Sequence, residues 1–235
     1  MGLTSIVVEV AAVTSRWTKS ISRAMSNIRN LLGLHPSDTR LSAYITSLSN
    51  GKPGADDPQV KSYPDAVYFN YFPLGLSLLF TPTDGYKPLA GLTREDIMNE
   101  QLVLESIDIY NVPELPTQSS GSSTSKPKAR STPAYSTFPI SPLTLSLPSP
   151  PSSASPSNFE LTKTTTAVQF VSALGEPDRK GGGSGPSSGS IGIWCEWSKQ
   201  GLMVEFGGEE ARGPKAWETG KDAVWGVVTL FEVKT

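Results

Sequence analysis

The sequence predicts an α+β fold in which two tandem helix-plus-antiparallel-sheet repeats share one core and are separated by a Ser/Pro-rich linker. Three observations lead there. The string Tyr68-Phe-Asn-Tyr-Phe-Pro-Leu-Gly-Leu-Ser-Leu-Leu-Phe80 returns, without a gap and 126 residues later, as Trp194-Cys-Glu-Trp-Ser-Lys-Gln-Gly-Leu-Met-Val-Glu-Phe206. Each copy follows an amphipathic stretch ending in Leu-Gly, at Leu32-Gly33 and at Leu174-Gly175. Each copy also precedes an alternating stretch, Ile107-Asp-Ile-Tyr110 or Val228-Thr-Leu-Phe231. Preserved order with unequal connections is what duplication produces, because loops accept insertions that regular elements do not. The predicted boundaries are 14–111 for the first repeat, 112–157 for a disordered linker and 158–235 for the second repeat.

Taken in order, Thr14 to Leu32 places Trp17, Ile21, Met25, Ile28, Leu31 and Leu32 at three- and four-residue steps, the spacing of a helix with one buried stripe. Gly33 then serves as a C-terminal cap. Residues 49–62, rich in Gly, Pro and Asp, read as a polar loop. In the strand after each hairpin turn, Leu76, Leu78 and Phe80 share one side, as Leu202, Val204 and Phe206 do in the second copy. Ser77 and Leu79 face the other way, matched by Met203 and Glu205. Such alternation implies a sheet with one face on the core and one partly in water, so the helices are expected on the Leu/Phe side and the opposite face is the candidate binding surface.

The linker is dominated by Ser, Thr and Pro and holds too little apolar surface to offset the entropy of ordering it. Within it Ile140, Leu143, Leu145 and Leu147 form an apolar island able to dock as an added strand. Removal of 118–155 is expected to leave thermal stability nearly intact. Thr132, Ser141, Ser149 and Ser155 each precede a proline and are candidate sites of proline-directed phosphorylation. Further on, Thr164 to Thr166 caps a helix carrying Val168, Phe170, Val171 and Leu174, which stops at Gly175. Lys180 to Ser190 reads as a flexible Gly/Ser loop.

A formal charge of −2 gives no global attraction for nucleic acid or acidic membrane. One cysteine, Cys195, permits no intrachain disulfide, and with one histidine, His35, a structural zinc site would need carboxylates as well. The cytoplasm is therefore the expected compartment. The apolar run Ile6 to Val13 is far shorter than the ~20 residues that span a bilayer, and membrane contact is expected to be at most peripheral, through the basic N-terminal helix. Gly185-Pro-Ser187-Ser-Gly189 has the letters of a nucleophile elbow, yet it lies in a low-complexity loop leading into a strand, with no histidine nearby in sequence. Cys195, between Trp194 and Trp197 in a strand, reads as a small buried hydrophobe, and His35 as structural or solvent-facing. Gly220-Lys221-Asp222 lacks the earlier glycine and the Ser/Thr of a phosphate loop. No catalytic, cofactor or metal residue is assigned. The connection Gly207 to Trp225 offers Arg212, Trp217 and Trp225 as partner-binding residues, together with Met203 and Glu205; the alternative is that both indoles fold back over the sheet edge.

The string Val67-Tyr-Phe-Asn-Tyr-Phe-Pro-Leu-Gly-Leu-Ser-Leu-Leu-Phe80 resembles the Tyr-Phe-x-Asn-Tyr-Phe-x-Leu-Gly-x-x-x-Leu-Phe segment of the phagosome assembly factor family. The resemblance covers residues 20–110, about a third of the chain, and Pro177 to Trp225 has no counterpart in it. It implies an association with autophagic membranes. The layout also looks like the tandem helix-plus-sheet modules of β-lactamase-inhibitor proteins, which bind other proteins. The expected function is a non-catalytic protein–protein adaptor or scaffold in autophagy or membrane trafficking. The alternatives are a hydrolase using Ser187 or Cys195, and a peripheral membrane-binding protein.

Overall fold

The computed structural model describes residues 27–112, 134–148, 157–183 and 192–233. It is an α+β structure built on one antiparallel sheet. The strands are β1 (Gln59–Tyr63), β2 (Ala66–Tyr71), β3 (Leu76–Pro82), β4 (Leu102–Tyr110), β7 (Arg179–Gly181), β8 (Trp194–Trp197), β9 (Leu202–Phe206) and β10 (Trp225–Phe231), in the order β1-β2-β3-β4-β10-β9-β8-β7. Reading outward from the central β4–β10 pair, β3 and β9, β2 and β8, and β1 and β7 occupy matched places. A separate two-stranded ribbon joins β5 (Leu143–Leu147) to β6 (Ser157–Leu161).

The matched hairpins agree in detail. Each turn is a short 3₁₀ segment, Phe72–Leu74 or Ser198–Gln200, closed by a left-handed glycine, Gly75 at φ 57° or Gly201 at φ 58°. The carbonyl of each glycine accepts the N–H at the end of the neighbouring central strand, Tyr110 at 2.9 Å and Phe231 at 3.0 Å. A side chain would not fit at either position, since a Cβ on Gly75 would lie 2.1 Å from the Ser136 carbonyl oxygen and one on Gly201 2.2 Å from that of Phe231. Both central strands also carry an extra residue, Glu105 in β4 and Gly226 in β10, where the ladder shifts register.

Helix α1 (Thr39–Ser49) buries Leu41, Tyr44, Ile45 and Leu48, the i, i+3, i+4, i+7 stripe of an amphipathic helix. Its first turn is capped by Asp38, whose carboxylate accepts the Arg40 N–H at 2.8 Å, and it ends at Asn50 in the left-handed region. This corrects the reading of the first helix. Asn27 is extended and Ile28–Leu31 form one 3₁₀ turn, so no helix ends at Leu32-Gly33. Residues 14–26 lie outside the described residues. The helix of this half begins beyond Gly33, at Thr39, with Asp38 as its cap.

Helix α2 (Ala167–Leu174) starts at Thr166, whose N–H donates to the Gln169 side chain at 2.8 Å, and it stops at Gly175 as its sequence predicts. Phe170 of α2 packs against Phe159 (4.9 Å between centroids), Phe206 (5.9 Å) and Trp197 (6.0 Å). In the other half Phe69 meets Phe80 at 4.9 Å. A third, one-turn helix α3 (Ala216–Thr219) lies in the connection between β9 and β10.

One contiguous buried cluster runs through both halves. Ile107 and Ile109 on β4 face Leu230 and Val228 on β10, all four fully buried. Burying each such side chain contributes about 1.5–3 kcal/mol. The expectation that 112–157 is disordered needs correction where it is described. Residues 134–148 carry β5, and Phe138, Leu143, Leu145 and Leu147 are buried in the shared core. Three members of the apolar island, Leu143, Leu145 and Leu147, therefore dock while Ile140 stays exposed, and deletion of 118–155 would remove core rather than spare it. Residues 113–133 and 149–156 lie outside the described residues. Two stretches read as loops contain edge strands: β1 begins at Gln59 and β7 ends at Gly181.

Candidate functional site

Because side chains alternate across a strand, the ladder register assigns every residue of the sheet to a face. The Leu/Phe side carries the helices and the β5–β6 ribbon. Across the other, outer face, one row runs Asn70, Ser77, Asp108, Thr229, Met203, Glu196 from β2 to β8. A row on one side of it holds Tyr110, Val227, Glu205 and Trp194; a row on the other holds Tyr68, Leu79, Ser106 and Phe231. Leu79, Met203, Val227 and Phe231 are partly exposed, and Glu205 is exposed.

Asp108 stands at the centre of this face. The Thr229 hydroxyl donates to its carboxylate at 2.8 Å. Burial pushes the carboxyl up to about 6; the bond from Thr229 opposes that shift and the nearby Glu205 charge adds to it. Burial first, and then the Asp108 charge, likewise raise the neighbouring phenols of Tyr68 and Tyr110.

Residues Ala134–Phe138 form a strap over one end of the face. The Tyr135 ring stacks on Tyr110 (3.7 Å, 5° between planes) and packs against Phe72 at 4.5 Å. Its hydroxyl donates to Asn70 Oδ1 at 2.6 Å, the oxygen that also accepts from Ser77 at 3.0 Å. Main-chain bonds from Ser136 to the Phe72 carbonyl (2.8 Å) and from Phe138 to the Tyr110 carbonyl (2.9 Å) seat the strap on the Gly75 turn. The Gly201 turn is held differently: the Arg29 guanidinium donates to the carbonyls of Gln200 (2.5 Å), Gly201 (2.6 Å) and Phe231 (3.4 Å).

The residues singled out by sequence divide between surface and core. Met203 and Glu205 lie on the outer face, as expected. Trp217 is 44% exposed, with Lys180 Nζ 5.7 Å from its ring, and Arg212 is exposed. Trp225, by contrast, is a core residue, 4% exposed, with its indole N–H donating to the Thr162 carbonyl at 2.8 Å. It starts a central strand and exposes little beyond the edge that lines the cleft beside the β4–β10 junction. Of the candidate phosphorylation sites, Ser141 is exposed just before β5; Thr132, Ser149 and Ser155 lie outside the described residues, as does Ser187. Cys195 is buried in β8, and burial pushes its thiol up to about 11, against the thiolate a nucleophile requires. His35 donates from Nδ1 to the Leu102 carbonyl at 2.7 Å, a structural tie. No group of three His, Cys, Asp or Glu among the described residues is arranged to hold a metal ion, and no helix among them is long and apolar enough to cross a membrane. A cleft of about 460 Å³ beside the β4–β10 junction is lined by Asn111, Lys163, Glu210, Asp222 and Trp225 among others.

Asp108, Tyr110 and Tyr135 were not singled out from sequence. The first two were legible as the polar-side members of Ile107-Asp-Ile-Tyr110, where alternation sends them away from the core. Compared with protein-family models, with curated proteins and with solved structures, the chain has no match. The geometry of the outer face is therefore the basis for a functional reading.

Proposed function

We propose that this protein is a non-catalytic adaptor made of two tandem repeats fused through one core, which binds a protein partner on the outer face of its sheet. Its place in autophagy or membrane trafficking is suggested by the resemblance of Val67–Phe80 to the phagosome assembly factors. The observation that carries the reading is the set Leu79, Met203, Val227 and Phe231, apolar and partly exposed on three strands, β3, β9 and β10, that otherwise bury such side chains. Nucleic acid is a poor fit, since β4 and β9 put Asp108 and Glu205 on this face. The high thiol pKa of Cys195 argues against a cysteine hydrolase.

The test is affinity purification from the native host with the wild type, Met203→Asp and Trp217→Ala, each checked for an unchanged melting temperature. Loss of a specific partner in Met203→Asp supports the outer face. Loss in Trp217→Ala alone would move the site to the β9–β10 connection, and unchanged partners in both would refute the proposal.

A further inference from the structure

The outer face has a charge distribution that its apolar content does not explain. From β2 through β3, β4 and β10 to β9 its inward rows comprise Tyr68, Asn70, Ser77, Leu79, Ser106, Asp108, Tyr110, Val227, Thr229, Phe231, Met203 and Glu205, with two carboxylates and no lysine or arginine. Among the described residues of the strands, cations on this face stand at the sheet's two edges: Lys61 on β1, and Arg179 on β7, which is taken by Glu196 at 3.2 Å. The groups facing Asp108 are Thr229 and Glu205 from β10 and β9, Ser77 and Tyr68 from β3 and β2, Tyr110 from its own strand and Tyr135 from the strap. None carries a positive charge at neutral pH. A sheet that keeps a carboxylate half-buried here, with a hydroxyl as its hydrogen-bond donor, holds a charge that no described residue beside it complements.

We infer that the outer face takes a segment of a partner protein in which Lys or Arg side chains alternate with aliphatic ones. The aliphatic side chains meet Leu79, Met203, Val227 and Phe231, and a cation reaches Asp108 and Glu205 beside the tyrosine rings, whose faces attract positive charge. This rests on the reading of the outer face as the partner surface and names the chemistry of that partner. Asp108, with its carboxyl pushed up to about 6, adds a pH dependence: protonation there removes the charge the cation meets, so binding weakens as pH falls through about 6.

The experiment uses the full chain and two short labelled peptides, one alternating Arg and Leu and one alternating Glu and Leu, followed by fluorescence polarisation. The Arg peptide is expected to bind at neutral pH, the Glu peptide at least roughly tenfold more weakly, and Asp108→Asn and Glu205→Gln each to weaken the Arg peptide roughly tenfold. In Asp108→Asn the loss of binding between about pH 7 and pH 5 disappears. Equal or tighter binding of the Glu peptide, still lost in Met203→Asp, would overturn the cationic partner while leaving the outer face as the site. Arg-peptide binding that ignores Asp108, Glu205 and Met203 but is lost in Trp217→Ala would overturn both. Binding that appears only after Arg16, Lys19 and Arg23 are changed to Ser would show that this chain's own basic residues occupy the face, and that also overturns the proposal. So would the absence of binding by either peptide in every variant.

Discussion

Asp108→Asn is expected to make the protein more stable at neutral pH. The carboxyl moves from an ordinary 3.8 to about 6 in the folded protein, which corresponds to about 3 kcal/mol against the charged form at pH above 6. Asn keeps an oxygen to accept the 2.8 Å bond from Thr229 and removes the charge. Because the side chain is only partly shielded from water, the expected gain is about 1–3 kcal/mol, or several degrees of melting temperature for a chain of this size. The sign follows from proton binding. Between about pH 4 and pH 6 the folded state holds a proton that the unfolded state has released, so wild-type stability falls as pH rises through that window. The Asn variant lacks that fall. Denaturant titrations of both proteins at about pH 7.5 and about pH 4.5 should therefore show a large difference at the first pH and a small one at the second. A variant less stable than wild type at pH 7.5, or a difference independent of pH, would refute the account of Asp108 as a desolvated carboxylate.

Tyr44→Phe should be neutral or stabilising by up to about 1 kcal/mol in a thermal melt, because the Tyr44 hydroxyl is buried in the described structure without a hydrogen-bond partner. Gly75→Ala and Gly201→Ala should each cost more than about 2 kcal/mol, left-handed strain plus a backbone collision, whereas Gly85→Ala, at φ +77° with nothing within 4 Å, should cost only the ~1 kcal/mol of strain. Equal losses at Gly75 and Gly85 would remove the collision from the account. Phe138→Ala should cost about 3–5 kcal/mol by the same measurement, since the ring is 2% exposed in the shared core; a neutral result would return the strap to dispensable linker.

The parts of the fold legible in sequence are those whose own side chains settle them. Helix α2 announces itself through Thr166, Phe170 and Gly175, and the paired hairpins through residues that only one geometry accommodates, above all Gly75 and Gly201. The edge strands β1 and β7 were not legible, since Gln59–Tyr63 and Arg179–Gly181 have little apolar content and are held by the ladder of a neighbour rather than by their own alternation. Helix α1 is legible in Asp38 and the apolar stripe it caps, but the match of Leu32-Gly33 with Leu174-Gly175 puts the predicted helix one element too early. Sequence leaves Trp225 open between a partner-binding residue and an indole folded back over the sheet edge, because its strand starts at the residue itself; the structure buries it. Asking where the two matched hairpins differ pointed to Met203 and Glu205, which the register places on the outer face. The strap could not be found that way, because Tyr135 acts on the face through contacts far away in sequence, at Asn70, Phe72 and Tyr110.

The pairing of β4 with β10 is centred on Asp108 opposite Thr229, and Ile107 and Ile109 face Leu230 and Val228 symmetrically about that pair. Each strand thus meets the other as it would meet a second copy of itself across a two-fold axis. Were either half to dimerise alone, the residue on the axis would face its own twin. Two copies of Asp108 would set carboxylate against carboxylate with half their hydration removed, and two copies of Thr229 would leave the site uncharged. In this chain the two strands differ at the axial position, so that β4 supplies a charge and β10 the hydroxyl that steadies it. The seam is thus symmetric in its register and asymmetric at its centre, and that difference gives the outer face a direction.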